Sequence, residues 1–280
     1  MKKLFTLILS LALAMICAFN FTACSSVNDV DDIKAAGKIT MATESGFPPF
    51  ESKDGNEYVG IDIEIAKAIA KELGVELEVK DMQFDAVVTS VQKGQADLAI
   101  AALTINEERA QAINFSDDYF GASQYVVVAK TDTTFDACTT KEEVDNILKG
   151  FENGTKIAAQ SGTTGYYYVK GSDAFEFDGF ANLTAVGLET PAMGATGVVN
   201  GQYKALIVDD EVAAQVAKAN DGVKVIEISL NSEKYGIGVN KDAPELLKVV
   251  NKVLKDLKDS GELQKIIAKY SAASENSDAE

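Results

Sequence analysis

The sequence predicts an α/β protein built from two lobes. Between Ile33 and Ser271, strand-like segments are interleaved with segments of helical periodicity, which is typical of α/β architecture. This stretch of roughly 240 residues is longer than one hydrophobic core comfortably holds, so two lobes are expected. The stretch contains no proline-rich or serine-rich linker. A chain that crosses between the lobes as extended strand would explain this, although length and composition alone do not establish it.

The first half alternates strands and helices in a regular order. The segment KITMAT (38–43) is predicted as a strand. In IDIEIAKAIAKELG the residues Ile61, Ile65 and Ile69 fall on one helical face, and Asp62 suits the start of that helix. The further predictions are the strand VELEV (75–79), the helix FDAVVTSVQKGQ, the buried strand ADLAIAAL and the strand QYVVVAK (124–130).

A second series begins after Lys130. Helices are predicted at TKEEVDNILKG, after the glycine turn SGTTG, at TPAMGATGVVNGQ and at EVAAQVAKAN. Strands are predicted at KIAAQ, KALIVDD (204–210), VKVIEI (223–228) and YGIGV (235–239). The long amphipathic helix APELLKVVNKVLKDLKDSG and the helix ELQKIIAKYS end the series.

The N-terminus has the layout of an export signal. Two lysines are followed by an apolar run from Leu4 to Phe19 and then by small residues. The run is short for a membrane span. We expect a lipoprotein signal peptide at 1–23 that is removed after export, and an uncleaved anchor is the alternative.

The residues FTAC predict lipid attachment. They resemble a bacterial lipobox, in which the cysteine is lipidated and becomes the first residue of the mature chain, although Phe21 stands where an aliphatic residue is usual. A lipid on Cys24 would anchor the protein to the outer face of the cell membrane without spanning it. Residues 24–32 are expected to form a flexible tether, and residues 273–280 an acidic disordered tail.

The composition excludes several functions. The chain has no histidine, which excludes serine or cysteine nucleophiles activated by histidine and histidine-ligated metals. Outside the signal and Cys24 the only cysteine is Cys138, so the mature domain holds no internal disulfide. The formal charge of −17 becomes −19 without Lys2 and Lys3, which argues against nucleic-acid binding. We expect a monomer without cofactor or metal.

Six separated segments, in this order, resemble the polar amino-acid solute-binding proteins of ABC importers: ATESGFPPFE, YVGIDIEIAKAIAKELG, FDAVVTSVQKGQADLAIAALTINEERAQAINFSDDYF, AAQSGTTG, IVDD and YGIGVNK. The resemblance covers residues 38–270. It implies a glutamine-binding-protein-like, type II periplasmic-binding fold, in which two lobes joined by two crossing strands close over one amino acid and deliver it to a permease. Lobe 1 would be 33–120 and 234–272, and lobe 2 with the hinge strands 121–233.

The resemblance also implies how the α-carboxylate of the ligand is held. Arg109 is the only arginine among 26 basic residues, and a guanidinium can bind a carboxylate through two parallel hydrogen bonds where lysine cannot. Arg109 matches the family arginine that grips the α-carboxylate, and Thr104 matches the threonine beside it. The amides of Thr163 and Thr164 would reach the same carboxylate from a helix start on the other lobe.

The other ligand groups are assigned in the same way. By the resemblance Asp209 receives the α-ammonium, with Asp210 starting the next helix, and the carbonyl of Ala102 joins the ammonium contacts. A closed site must pair both charges of the ligand because an unpaired buried charge is costly.

Four residues are expected around the ligand side chain. Phe47 and Phe84 match aromatic walls that sandwich it, whereas Glu44 and Gln160 match positions that contact its distal end. An acid there favours glutamine, a basic amino acid or cystine and argues against glutamate or aspartate. Two alternatives remain open: an enzyme on the same scaffold that uses Glu44 as general acid or base, and the ligand-binding subunit of a sensory receptor.

Overall fold

The computed structural model describes residues 29–276, and side chains are described for residues 29–271. The predicted signal peptide and Cys24 lie outside the described residues. Within the described part of the chain, no helix combines the length and the apolar character needed to cross a membrane.

The elements of the first half are α1 (Val30–Ala36), β1 (Lys38–Thr43), β2 (Ser52–Asp54), β3 (Glu57–Val59), α2 (Ile61–Leu73), β4 (Glu76–Asp81), α3 (Phe84–Gln92), β5 (Leu98–Ala99), α4 (Glu107–Ala112), β6 (Asn114–Phe115), β7 (Phe120–Ala122) and β8 (Gln124–Ala129). The second half contains α5 (Lys141–Gly150), β9 (Thr155–Gln160), α6 (Thr164–Lys170), a 3₁₀ turn (Asp173–Phe175), β10 (Leu183–Leu188), α7 (Pro191–Val199), β11 (Ala205–Asp209), α8 (Asp210–Ala219), β12 (Val223–Ile226), β13 (Glu233–Tyr235), β14 (Gly238–Val239), α9 (Pro244–Asp259) and α10 (Glu262–Asn276).

The first lobe is built on a five-stranded sheet of order β4-β1-β5-β14-β6. Strand β1 pairs in parallel with β4 and β5, whereas β14 pairs antiparallel with β5 and β6. Because β14 comes from the end of the chain, this lobe is assembled from two separate segments. Helix α2 packs against α9, and its residues Ile61, Ile65 and Ile69 are fully buried as their spacing predicts.

The second lobe has its own five-stranded sheet, of order β10-β9-β11-β8-β12. Strand β9 pairs in parallel with β10 and β11, and β8 pairs antiparallel with β11 and β12. Helix α7 packs on β11 and β9. The three consecutive valines Val126, Val127 and Val128 of β8 are fully buried, as expected for a strand covered on both faces.

Two short strands cross between the lobes. Strands β7 and β13 form an antiparallel pair in which Tyr235 lies opposite Phe120. The rings of these two residues are stacked with their centroids 5.7 Å apart, and Phe50 packs edge-on against Tyr235 at 5.2 Å. This pair gives the type II two-lobe fold its double crossing.

The structure differs from the sequence-based expectation at both ends of the domain. Helix α1 begins at Val30, inside the expected tether, because Asp29 caps it and ties it to the domain: its Oδ1 accepts from the Val30 amide at 2.8 Å and from the Leu246 amide at 3.0 Å. Ile33 is fully buried. Helix α10 extends to Asn276, beyond the expected start of the tail at residue 273.

Candidate functional site

Arg109 bridges the two lobes. It lies on α4, which starts where Asn106 Oδ1 accepts from the Arg109 amide at 2.8 Å. Its guanidinium donates from Nη1 to the Thr104 carbonyl at 2.7 Å and from Nη2 to the Gly162 carbonyl of the second lobe at 3.1 Å. A guanidinium has five N–H groups, so these two bonds leave donors for a carboxylate.

The positive charge of Arg109 is buried. The residue is only 8% exposed, and among residues 29–276 it forms no ion pair. Burial lowers the pKa of Arg109 to about 10, an effect opposed by the negative charges of Glu233 and Asp209. The guanidinium therefore stays protonated at neutral pH and lacks a counter-ion in direct contact.

A buried negative charge faces it from the second lobe. Asp209 ends β11 and is 5% exposed. It holds the position that precedes α8, but its carboxylate does not cap that helix and instead accepts from the Tyr235 hydroxyl. Burial, and then the charge of Glu233, raise the pKa of Asp209. Within the described residues Asp209, like Arg109, forms no ion pair.

Glu233 of the crossing strand β13 was not predicted as a site residue. Its carboxylate accepts from Thr104 Oγ1 at 2.6 Å, from Gln124 Nε2 at 2.9 Å and from Asn231 Nδ2 at 2.7 Å. The Thr164 hydroxyl donates to Thr104 Oγ1 at 3.3 Å. Glu233 thus fixes Thr104, which in turn contacts the second lobe. A strand of three residues is too short for its alternation to reveal that this acid points inward.

Glu44 and Gln160 meet across the cleft as a second contact between the lobes. Gln160 Nε2 donates to Glu44 Oε2 at 2.6 Å and to the Glu189 carbonyl at 2.8 Å. Gln160 Oε1 is buried and accepts no hydrogen bond from the described residues. Burial raises the pKa of Glu44, which the hydrogen bond from Gln160 partly offsets. This end of the cleft is rich in acceptors.

A pair of buried carboxyl groups supports Ala102. The Ala102 amide donates to Asp62 Oδ2 at 2.7 Å, and the Tyr119 hydroxyl donates to Asp62 Oδ1 at 2.8 Å. These bonds hold Ala102 at a positive φ of 45°, a left-handed conformation that is uncommon for a residue other than glycine. Asp62, expected from the sequence only to start α2, is fully buried and points into the site.

Glu51 completes this pair. It is 1% exposed, and neither of its carboxyl oxygens accepts a hydrogen bond from the described residues. Burial, and then the charge of Asp62, raise the pKa of Glu51 well above its ordinary value, and burial raises the pKa of Asp62 to about 6. A raised pKa favours the protonated form of Glu51, in which the carboxyl group carries a proton that the neighbouring Asp62 can accept.

The expected aromatic walls lie in different surroundings. Phe47 is buried, and its ring centroid lies 6.4 Å from that of Phe50 in the core of the first lobe. Phe84 is half-buried, with its ring centroid 5.3 Å from Arg109 Cζ. The structure thus places Phe84 against the guanidinium.

The two threonines of the glycine turn have different contacts. The amide and the hydroxyl of Thr163 both donate to the Gln160 carbonyl, at 3.3 and 2.7 Å. Thr163 therefore closes the turn before α6, and its amide is already engaged. Thr164 faces the first lobe through Thr104.

Comparison with known proteins agrees with this architecture. Over 265 residues the chain is 31% identical to the arginine-binding extracellular protein ArtP of Bacillus subtilis, covering 94% of this chain and 96% of that protein. An amino-acid ABC transporter substrate-binding protein of Streptococcus pneumoniae, solved with L-arginine bound, superposes with a TM-score of 0.75 at 33% identity, covering 87% of this chain and 98% of that one.

A further similar structure is that of a binding protein described as the precursor of an enzyme. It is an ancestral amino-acid-binding protein described as a precursor of cyclohexadienyl dehydratase, with a TM-score of 0.74 at 33% identity, covering 86% of this chain and 98% of that one.

Residues 39–273 match the family described as bacterial extracellular solute-binding proteins, family 3. The match covers most of the sequence, and the chain therefore belongs to family 3 of the bacterial extracellular solute-binding proteins.

Proposed function

We propose that this protein is an extracytoplasmic receptor that binds a polar amino acid between its lobes and delivers it to an ABC importer permease. The observation that carries the proposal is the pair of buried opposite charges, Arg109 on the first lobe and Asp209 on the second, neither of which forms an ion pair within residues 29–276. A zwitterion supplies a carboxylate for one and an ammonium for the other. By bridging the lobes it favours the closed state of the hinge.

The distal end of the cleft favours a basic amino acid. Glu44, the free Oε1 of Gln160 and the Glu189 carbonyl present acceptors that a guanidinium or ammonium would satisfy. A distal carboxylate would meet Glu44 and be repelled. The similarity to a protein named for arginine binding and to a structure holding L-arginine supports this choice. Glutamine and cystine are the other candidates.

A ligand screen tests the proposal. The purified chain from residue 28 is heated with each of the twenty amino acids, ornithine, cystine and several sugars, because a ligand that binds only the folded state raises the melting temperature. Titration calorimetry then measures affinity, and we expect a Kd of about 1 μM, or roughly −8 kcal/mol, for arginine or lysine. A screen in which no amino acid raises the melting temperature would overturn the proposal.

The enzyme alternative is tested with the same sample. Since one solved neighbour is described as a precursor of a dehydratase, the bound amino acid is recovered after a long incubation and analysed by mass spectrometry. Under our proposal the ligand is recovered unchanged. A product whose formation stops in a Glu44→Gln variant would instead establish the carboxylate-dependent enzyme.

Lipid attachment is the second part of the proposal. The layout of the first 24 residues supports a cleaved signal and a lipid on Cys24. In the native host we expect the wild-type protein in the membrane fraction and a Cys24→Ser variant released from it. A Cys24→Ser protein that stays with the membrane would show that something other than the lipid holds it. We expect a monomer on size-exclusion chromatography with light scattering.

A further inference from the structure

One segment of the second lobe reaches over to the helix that carries Arg109. Residues 171–180, here called the clasp segment, connect α6 to β10 and contain the 3₁₀ turn Asp173–Phe175. This turn packs against α4 in the first lobe. The clasp segment is therefore a contact between the lobes that lies outside the residues expected to touch the ligand.

Phe175 of the clasp segment lies against the guanidinium. Its ring centroid is 5.5 Å from Arg109 Cζ, and that of Phe84 is 5.3 Å from the same atom. The buried cation is thus within cation–π distance of one ring from each lobe. The Phe175 ring is itself stacked on Tyr167 of α6, with centroids 4.5 Å apart and planes 21° apart.

Phe175 also separates two grooves that open to solvent. One groove, of about 520 Å³, is lined by Phe84 and Arg109. The other, of about 420 Å³, is lined by Thr104 and Glu233. Phe175 lines both. Replacing its ring by a methyl group would uncover the face of the guanidinium that the ring lies against.

The second lobe holds Phe175 in place. Ser172 and Phe177 exchange two backbone hydrogen bonds of 2.8 and 3.0 Å across the 3₁₀ turn. Phe177 and Phe180 pack against Tyr168, with ring centroids 5.3 and 5.6 Å away. These contacts lie within the second lobe, so the position of Phe175 follows the movement of that lobe.

We infer that Phe175 determines ligand affinity without touching the ligand, by covering one face of the Arg109 guanidinium against water when the lobes close. An ion pair between the guanidinium and the α-carboxylate is stronger where water is excluded. Covering that face therefore lowers the dissociation rate of the ligand more than it changes the association rate, because the ligand binds before the lobes close. The inference rests on the proposed function, because the closed state in which Phe175 covers the guanidinium is the one that the ligand favours.

Binding kinetics form the first arm of the test, with L-arginine as the probe. For Phe175→Ala we expect Kd to rise by about tenfold, through faster dissociation at a nearly unchanged association rate. Phe175→Leu keeps an apolar side chain between the grooves and should recover most of the affinity. The matched control is Phe151→Leu, also in the second lobe but packed on Phe135 with ring centroids 6.0 Å apart, which should leave Kd within about twofold.

A double-mutant cycle shows whether Phe175 acts through Arg109. In an Arg109→Lys background, Phe175→Ala should cost less than about twofold, because the sealed guanidinium is already gone. An equal cost in both backgrounds would mean that Phe175 only stabilises its own segment, and would overturn the inference.

The second arm reads the closed state directly and is run with saturating unlabelled L-arginine. Because Arg109 is the only arginine of the chain, ¹⁵N-labelled protein gives a single arginine Nε–H resonance, and its exchange rate with water reports access to this one side chain. Phe175→Ala should speed that exchange severalfold, and Phe151→Leu should not. Unchanged exchange in Phe175→Ala would overturn the inference. Failure of the proposed function would instead appear in calorimetry as a wild-type protein that binds no amino acid.

Discussion

The proton on Glu51 should make the ligand-free protein less stable as pH rises, and Glu51→Gln tests this. The buried Glu51 carboxyl interacts with Asp62, and burial raises its pKa in the folded state well above the ordinary value. Glutamine has nearly the same shape, and its amide can donate to Asp62 as the protonated acid does. The substitution therefore keeps the hydrogen bond while removing the titration.

The magnitude follows from the unfolded chain, in which Glu51 titrates at its ordinary pKa of 4.5. Above that pH the folded protein must take up a proton that the unfolded chain has released. This costs about 1.4 kcal/mol for each pH unit between the unfolded-state and the folded-state pKa. A raised pKa in a folded acid thus contributes stability that is complete below pH 4.5 and is lost as pH increases towards the folded-state pKa.

Urea unfolding of the ligand-free protein at pH 5, 6 and 7 measures the effect. The gain in unfolding free energy of Glu51→Gln over wild type should be near zero at pH 4.5 and grow by about 1.4 kcal/mol per pH unit. The control is Glu57→Gln on the exposed hairpin strand β3, where the carboxyl faces solvent. This variant should differ from wild type by a small amount that does not change with pH.

Two results would refute the reasoning. A difference between Glu51→Gln and wild type that stays constant from pH 5 to 7 would mean that Glu51 is ionised in the folded protein. A variant destabilised at pH 7 by more than about 1 kcal/mol would mean that the glutamine amide does not replace the proton donated to Asp62.

Three further predictions concern ligand binding. Arg109→Lys should raise Kd for the amino acid at least tenfold, because an ammonium cannot present two parallel donors; a change of only a few fold in calorimetry would refute the carboxylate clamp. Affinity should fall as pH decreases from 8 to 5, by up to about tenfold per unit, because burial and Glu233 raise the pKa of Asp209 and only its ionised form pairs with an ammonium; a Kd independent of pH would contradict this. Gly46→Ala should weaken binding, since a Cβ there would lie 2.6 Å from Thr190 Cγ2 of the other lobe and 2.8 Å from Glu44 Oε1; adding Thr190→Ser removes the first contact and should recover part of the affinity, and no recovery would show that hindered closure is not the cause.

The fold was predictable where periodicity is long and unambiguous. In helix α2, Ile61, Ile65 and Ile69 repeat over several turns, and their burial follows from the spacing. Strands β7 and β13 have three residues each, and their pairing joins Phe120 to Tyr235, more than a hundred residues away. Local pattern carries no information about such a pairing, so the crossing was expected only from the resemblance.

The acids of the site show the same limit. Glu51, Asp62 and Glu233 look like any other carboxylates in a chain with 43 acidic residues. Their roles depend on donors supplied by the folded chain from far away, such as Thr104 for Glu233 and Tyr119 for Asp62. Arg109 was the exception because its type is unique in the chain and drew attention to it, although its assignment to the α-carboxylate came from the resemblance.

The balance of charge in the cleft bears on which ligand the protein binds. Among the described residues, Arg109 is the cation that we place in the cleft. The charges of Asp209 and Glu233 act on it, whereas Glu44 lies at the end of the cleft that contains Gln160. A ligand with no net charge pairs Arg109 and Asp209 and leaves the distal carboxyl of Glu44 to be buried without a counter-ion, which is costly. A basic amino acid brings one more positive charge and supplies that counter-ion. We therefore expect a basic amino acid to bind more tightly than glutamine, and that preference to be reduced most by Glu44→Gln.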